Sequence, residues 1–470
     1  MEYSGLMRIT LDAANLMATM IGEENGLTPQ DLKSTAAATQ AALAGFQEQV
    51  NAGAYGFPHL PFDQKMIKAA LAYAKSKQGS YDTVCVVGIG GSALGAWALD
   101  CGLRGPHPVQ GVHSAKFPRL VILDNVDPVF VEGALASMTP KKTLVVVIAK
   151  SGATAETVAT FLMVKAWLEK SLGKKAGERI SVVTSEGRGD LKVLATREGY
   201  PTFHLPDNVG GRFSVLSAVG LIPAALIGVD IKKLCAGAAE MTTRSWKKDL
   251  NENLALQAAQ LHFLTWTRKA KPIQVAFPYA NKLWGTAFWF RQLWAESLGK
   301  AKNRAGQTIH IGQTPVAALG TTDQHSQVQL YMEGPADKVF TFWAVEKPST
   351  KGVIPKGKLG LEGFDYLSGQ SLDKLLTAER RATAAALTEQ KRPNCTVTLE
   401  KMDAAHLGAF LQMMEFQTAF MGELLNINAF DQEGVELGKK FTFALMGRKG
   451  FDDYLDRFAE YERRQFRARG

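Results

Sequence analysis

Four short runs of the chain, residues 83–87, 120–123, 143–148 and 180–184, are apolar on both faces and rich in β-branched side chains. A strand with one wet face alternates polar and apolar residues. A strand apolar throughout must be covered on both sides, as happens in parallel sheets whose crossover helices lie above and below. The segments between these runs read as helices, so the pattern restricts this part to a doubly wound α/β layer arrangement. A second block starts at Lys271-Pro272-Ile273-Gln274-Val275-Ala276-Phe277 and alternates again, with later strands expected at 339–345 and 396–399. The fold class expected is α/β, with two doubly wound parallel-sheet domains and helical extensions at both ends. The boundaries read as a helical segment 1–80, a first α/β domain 81–235, a helical connection with a second α/β domain 236–403, and a C-terminal helical arm 404–470. Within the first segment, Thr28-Pro29 marks a helix start, with Thr as cap and Pro at the first position, and a second helical stretch spans 62–77. A long periodic helix is expected over 404–425, and the last 30 residues also read as helical.

The length of 470 residues and the 46% hydrophobic content support cores of this size, and 21% charged residues argue against disorder. The longest apolar stretch, 215–229, contains Ser217 and Pro223 and falls short of the roughly 20 residues a membrane span needs. Met1-Glu2-Tyr3-Ser4-Gly5 lacks the basic and apolar blocks of a secretory leader. The four cysteines, Cys85, Cys101, Cys235 and Cys395, have no metal-type spacing and read as reduced thiols, so a cytoplasmic protein without a metal site is expected. The formal charge of +9 is partly gathered at Arg463, Arg464, Arg467 and Arg469 and otherwise mixed with acids. That distribution suits a solvated helix face, or long-range steering of small anions, better than a nucleic-acid surface. Neither a nucleic-acid partner nor a membrane partner is expected.

Two loops follow strands and open helices. Gly88-Ile89-Gly90-Gly91-Ser92-Ala93-Leu94-Gly95 combines small residues with a helix N-terminus, an arrangement that admits an anion and also serves as a tight turn. Its glycine spacing is not that of a dinucleotide fingerprint. Ala149-Lys150-Ser151-Gly152-Ala153-Thr154 brings a cation and two hydroxyls to a second helix start, without the phosphate-loop spacing of nucleotide hydrolases. A Ser/Thr-capped helix is the plainer reading of this loop, but its recurrence in one domain favours a phosphorylated or anionic ligand. Four later segments mix polar groups with glycine: Gly210-Gly211-Arg212-Phe213-Ser214, the stretch from Gln292 to Lys300, Gly320 to Ser326, and Asp431 to Lys439. Singly each has a plain reading, such as Glu296 and Lys300 as an i,i+4 surface pair, His325 as a core histidine and Lys439 as a solvated lysine.

Taken together and in order, Gly-Gly-Arg-Phe-Ser at 210–214, Glu-Ser-Leu-Gly-Lys at 296–300, Gln-His-Ser at 324–326 and Asp-Gln-Glu-Gly-Val-Glu-Leu-Gly-Lys at 431–439 closely resemble the phosphoglucose isomerase family. The resemblance runs from about residue 86 to residue 439. It implies two sugar-isomerase-type domains, a homodimer with shared active sites, and reversible conversion of glucose 6-phosphate to fructose 6-phosphate without metal or organic cofactor. It also assigns roles. Glu296 looks like the base that moves a proton between C2 and C1, and Arg212 like the cation that stabilises the enediolate. His325, delivered from the partner subunit, and Lys439 look like the groups that assist ring opening. Gln292 and Gln432 resemble contacts to substrate, and Gly91, Ser92, Lys150, Ser151, Thr154 and Gly211 resemble the phosphate- and substrate-binding set.

Two departures stand out. Ala149 and Ala153 replace hydroxyl residues usual in the family's second loop, and Gln327 replaces an aromatic after Gln-His-Ser. Two other readings share the fold: a sugar-phosphate sensor and an isomerase that also accepts mannose 6-phosphate. A sensor has no use for Glu296, His325 and Lys439, and residues 1–80 contain no basic recognition helix.

Overall fold

The computed structural model describes residues 8–104, 117–187 and 189–463. A short strand, β1 (Ile9–Asp12), lies near the start, and the helix Pro29–Asn51 follows. Its start is a capping box: the Thr28 hydroxyl accepts from the Asp31 amide, and the Asp31 carboxylate accepts from the Thr28 amide. Strands β2 (Thr83–Val87), β3 (Arg119–Leu123), β4 (Thr143–Ile148), β5 (Ile180–Ser185) and β6 (Thr202–Leu205) then form a parallel sheet in the order β3-β2-β4-β5-β6. Every residue of β2, β4 and β5 is buried, as their two apolar faces require. The strand order turns around at the β2/β4 pair. Both polar loops leave the carboxyl ends of these two strands, the place where open α/β sheets take ligands.

The second sheet is built from β7 (Ile273–Pro278), then, after a two-stranded ribbon of β8 (Lys300–Lys302) and β9 (Thr308–Ile311), from β10 (Thr314–Ala317), β11 (Lys338–Lys347) and β12 (Asn394–Lys401). Its order is β1-β12-β11-β7-β10. β7, β10, β11 and β12 are parallel, whereas β1 joins antiparallel to β12, with Ile9 opposite Leu399. The first 80 residues are therefore not purely helical, and the second sheet is not purely parallel. Pro315 lies in β10, an edge strand, where its missing N–H spoils no ladder.

The helix Ala404–Leu424 is buried at every position from His406 to Gly422. A helix apolar all round belongs inside a protein. It is a central strut and not the start of an arm. It crosses the helix Ile231–Ser245 so closely that a Cβ on Gly408 would stand 2.0 Å from the Leu234 carbonyl oxygen. The exposed C-terminal part starts near Gln432 and includes the helices Glu436–Leu445 and Asp453–Arg463. Arg464, Arg467 and Arg469 lie outside the described residues, as do residues 1–7 with the leader reading.

An aromatic cluster joins the layers. Phe46 of the N-terminal helix meets Phe57, Trp246, Phe416 and Phe420, and Phe57 in turn contacts Phe213, whose ring lies 4.9 Å from that of Phe430. Phe213 follows Arg212 and Phe430 precedes Asp431, so this core anchors two stretches of polar backbone side by side. Among the described residues no helix is long and apolar enough to cross a membrane.

Candidate active site

The first loop leaves β2 and forms a single turn over Gly90–Ser92 before the helix Leu94–Leu103. Gly90 has φ +58°, and Gly91 touches the turn Gly211–Phe213 backbone to backbone. A Cβ on Gly91 would lie 2.3 Å from the Gly211 carbonyl carbon and 2.7 Å from the Arg212 nitrogen, so only glycine permits this approach. A Cβ on Gly90 would meet Gln292 Nε2 at 2.9 Å. Gly91, Ser92, Gly211 and Gln292 thus share one wall.

The second loop follows β4. Ala149 is buried, while Ser151 is exposed and its Oγ lies 3.3 Å from Thr154 Oγ1. Thr154 occupies the cap position of the helix Ala155–Leu172, but its side chain makes no capping bond. Its hydroxyl is therefore not spent on the helix, and the plain capping reading does not apply. Lys150 Nζ donates to the carbonyl oxygens of Asp207 (2.8 Å) and Val209 (2.9 Å), tying the loop to the approach to Gly210. Burial pulls the Lys150 ammonium below its usual pKa.

Arg212 is the hub. Its side chain is 1% exposed and makes five hydrogen bonds. Nε donates to Ser297 Oγ (2.7 Å), Nη1 to Glu296 Oε2 (3.2 Å) and Gln432 Oε1 (3.3 Å), and Nη2 to the carbonyl oxygens of Ala429 (2.6 Å) and Asp431 (2.9 Å). Burial lowers the guanidinium pKa, opposed by the charges of Glu296 and Asp431; an arginine remains a cation throughout. Glu296 sits in the last turn of the helix Trp284–Leu298, 25% exposed, with Gln292 one turn earlier donating to Oε2 at 3.4 Å. That helix seats against Leu94–Leu103 through Gly285, where a Cβ would meet Cys101 Cβ at 3.0 Å.

The structure thus gathers Arg212, Glu296, Gln292, Gln432, Gly91 and Gly211. No hydrogen bond or ion pair joins His325 or Lys439 to that group among the described residues. His325 is exposed at the end of the turn Thr322–Gln324. It is neither buried nor a core histidine. The turn is secured by Leu319 N–H on Asp323 and by Tyr279 Oη on Gln324 Oε1, at 2.7 and 2.9 Å, and Gln327 accepts from Tyr331 Oη at 2.7 Å in place of aromatic packing. Lys439 is exposed and paired with Glu436 at 2.7 Å.

Sequence reasoning missed Ser297, Ala429 and Asp431, and it misread Lys300. Lys300 Nζ does not meet the Glu296 carboxylate. It donates to the Glu296 carbonyl oxygen (3.1 Å), the Asp431 carbonyl oxygen (2.7 Å) and Asp431 Oδ1 (2.7 Å), with the side chain 9% exposed. Burial lowers its pKa, and the bond to Asp431 opposes that shift. The glycine following Leu298 ends the helix, so the i,i+4 rule had no helical surface on which to operate. No group of three potential metal ligands occurs among the described residues, and the four cysteines are buried and form no disulfide.

Comparison with known proteins fits this geometry. A family model described as phosphoglucose isomerase matches residues 65–453. The glucose-6-phosphate isomerase of Carboxydothermus hydrogenoformans is 41% identical over 95% of this chain and 96% of its own length. That of Rubrobacter xylanophilus is 41% identical over 94% and 99%. A solved structure of a hypothetical protein from Thermus thermophilus superposes with TM-score 0.84 at 35% identity, covering 94% of this chain and all of that one. A glucose-6-phosphate isomerase structure from Chlamydia trachomatis gives TM-score 0.73 at 26% identity, over 86% and 77%. With a match across about four-fifths of its length and full-length relatives at this identity, the chain belongs to the phosphoglucose isomerase family.

Proposed function

We propose that Glu296 is the base in the interconversion of glucose 6-phosphate and fructose 6-phosphate that this chain carries out as a member of its family. The observation that carries the assignment is the partly exposed Glu296 carboxylate held 3.2 Å from a buried, fixed guanidinium. Starting from the aldose, the carboxylate takes the proton from C2 of the open-chain sugar. The electron pair left behind forms the C1=C2 bond, and the carbonyl electrons move onto O1. Arg212, already oriented by Ser297, Ala429 and Asp431, stabilises that oxygen charge without reorganising. Moving the O2 proton to O1 and returning the carbon-bound proton from Glu296 to C1 then gives the ketose. The hydrogen moves within one molecule, so the reaction consumes no oxidant.

The phosphate falls to Ser92, Ser151, Thr154 and the amides of the two loops, including Gly91 and Gly211. Lys150 uses two of its three N–H donors on Asp207 and Val209, which leaves one for a phosphate oxygen. Gln292 and Gln432 contact the sugar. Binding energy spent at the phosphate then orients C1 and C2 against Glu296. His325 and Lys439 assist ring opening. Their exposure supports a homodimer in which His325 completes the partner's site. Buried cysteines without disulfides support residence in the cytoplasm, and neither nucleic acid nor membrane is a partner.

The test is Glu296→Gln with fructose 6-phosphate as substrate. Losing the base should lower kcat by on the order of 100- to 10,000-fold with a smaller change in KM. Near-normal turnover in a folded variant would remove Glu296 from this role.

A further inference from the structure

We infer that Lys300 is a positioning residue for the isomerisation: together with Asp431 it clamps the carbonyl end of the Glu296 helix to the backbone that holds Arg212. The inference rests on the assignment of Glu296 as base. An ammonium has three donors, and all three of Lys300's are matched, to Glu296 O, Asp431 O and Asp431 Oδ1. Glu296 O is among the last four carbonyls of its helix, which have no partner inside the helix. A cation there both satisfies the carbonyl and suits the negative end of the helix dipole.

The same clamp acts on the guanidinium. Asp431 O accepts from Arg212 Nη2 at 2.9 Å as well as from Lys300 at 2.7 Å. One carbonyl thereby fixes both cations relative to each other. The Asp431 carboxylate is a second acid within the electrostatic reach of Arg212. Lys300 occupies that carboxylate, which leaves Nη1 facing Glu296 and Gln432. Without Lys300, Asp431 becomes a rival acceptor for Arg212 and the last turn of the Glu296 helix loses its tether. A further anchor lies behind the clamp: Lys300 opens β8, and a Cβ on Gly312 would sit 3.0 Å from Gly299 Cα, so the strand returning from the ribbon is pressed against the same corner.

The experiment compares Lys300→Met, Asp431→Asn, the double variant, Lys300→Arg and Glu296→Gln, reading kcat and KM for fructose 6-phosphate alongside thermal unfolding. Lys300→Met should lower kcat by about 10- to 100-fold, the scale of a reacting group misplaced by about 1 Å, with KM changed less than about threefold. The double variant should be no slower than the slower single variant, since both break one unit, and Lys300→Arg should recover part of kcat. A Lys300→Met enzyme within about twofold of the parent in kcat overturns the clamp if Glu296→Gln is inactive. An active Glu296→Gln overturns the base assignment instead. Effects that multiply in the double variant, or a fall in unfolding temperature with kcat intact, also overturn the clamp. If Lys300→Met does not fold, Asp431→Asn decides: full turnover in that folded variant refutes the inference.

Discussion

Replacing Gly91 by alanine adds one methyl group at the tightest contact in the active site. The new carbon would lie 2.3 Å from the Gly211 carbonyl carbon, 2.4 Å from its oxygen and 2.7 Å from the Arg212 nitrogen. Ordinary contact begins near 3.4 Å, so the loops must separate by roughly 1 Å. Both sides are backbone, and neither has a side chain that can swing away. Arg212 cannot follow the movement freely, because its five acceptors lie on the far side. The forced shift should cost about 1–3 kcal/mol of stability, as overpacking elsewhere does, and on the roles proposed above it separates the Gly90–Ser92 turn from Arg212 by a distance that costs about 100-fold in rate. Steady-state kinetics with fructose 6-phosphate, paired with thermal unfolding, would measure both quantities. A folded Gly91→Ala enzyme with kcat within about threefold of the parent would refute the argument that this backbone contact sets the registry of the site.

Two buried ionisable groups give further predictions. Glu415 is fully buried with neither carboxylate oxygen hydrogen-bonded, and burial pushes its carboxyl well above the usual range. Such a group supports folding fully below the unfolded carboxyl pKa, and its contribution is lost as pH rises. Glu415→Gln should therefore raise the unfolding temperature, more at pH 8 than at pH 5, and a lower midpoint at pH 8 would contradict this. His262 behaves oppositely. It is buried beside a cavity of about 10 Å³, with Nδ1 unpartnered, and burial lowers its pKa to about 4. Its contribution is present above the unfolded value of about 6.5 and fades by about 3 kcal/mol as pH falls towards 4. His262→Gln should flatten the loss of urea resistance between pH 6.5 and 4, and an unchanged slope would exclude His262 as its source.

The interior strands could be read from the sequence because their chemistry is uniform: β2 and β4 begin and end where the apolar runs do. Three of the four edge strands could not. β1, β6 and β10 are four residues each, with partly exposed faces, and an acid, a histidine and a proline interrupt their apolar runs. The extent of the 404–424 helix was equally plain, but its central place depends on which other helices need covering, and no local pattern carries that. At the site, Arg212 meets Glu296 and Gln432 across 84 and 220 residues of chain. No spacing rule spans such distances, and only the ordered motifs pointed to their meeting. Lys300 shows the converse, a local rule applied where the helix had already stopped.

The antiparallel strand at the rim of the second sheet bears on how the chain is made. β1 leaves the ribosome ahead of every other strand described, yet the edge it pairs with belongs to β12, about 390 residues later. Until then the first strand waits unpaired through the synthesis of the whole first domain. Closing this pair is a contact of very high sequence separation, the kind that slows folding and exposes open edges to other chains. One of the last rungs of the second domain to form is thus among the earliest pieces of it to be synthesised.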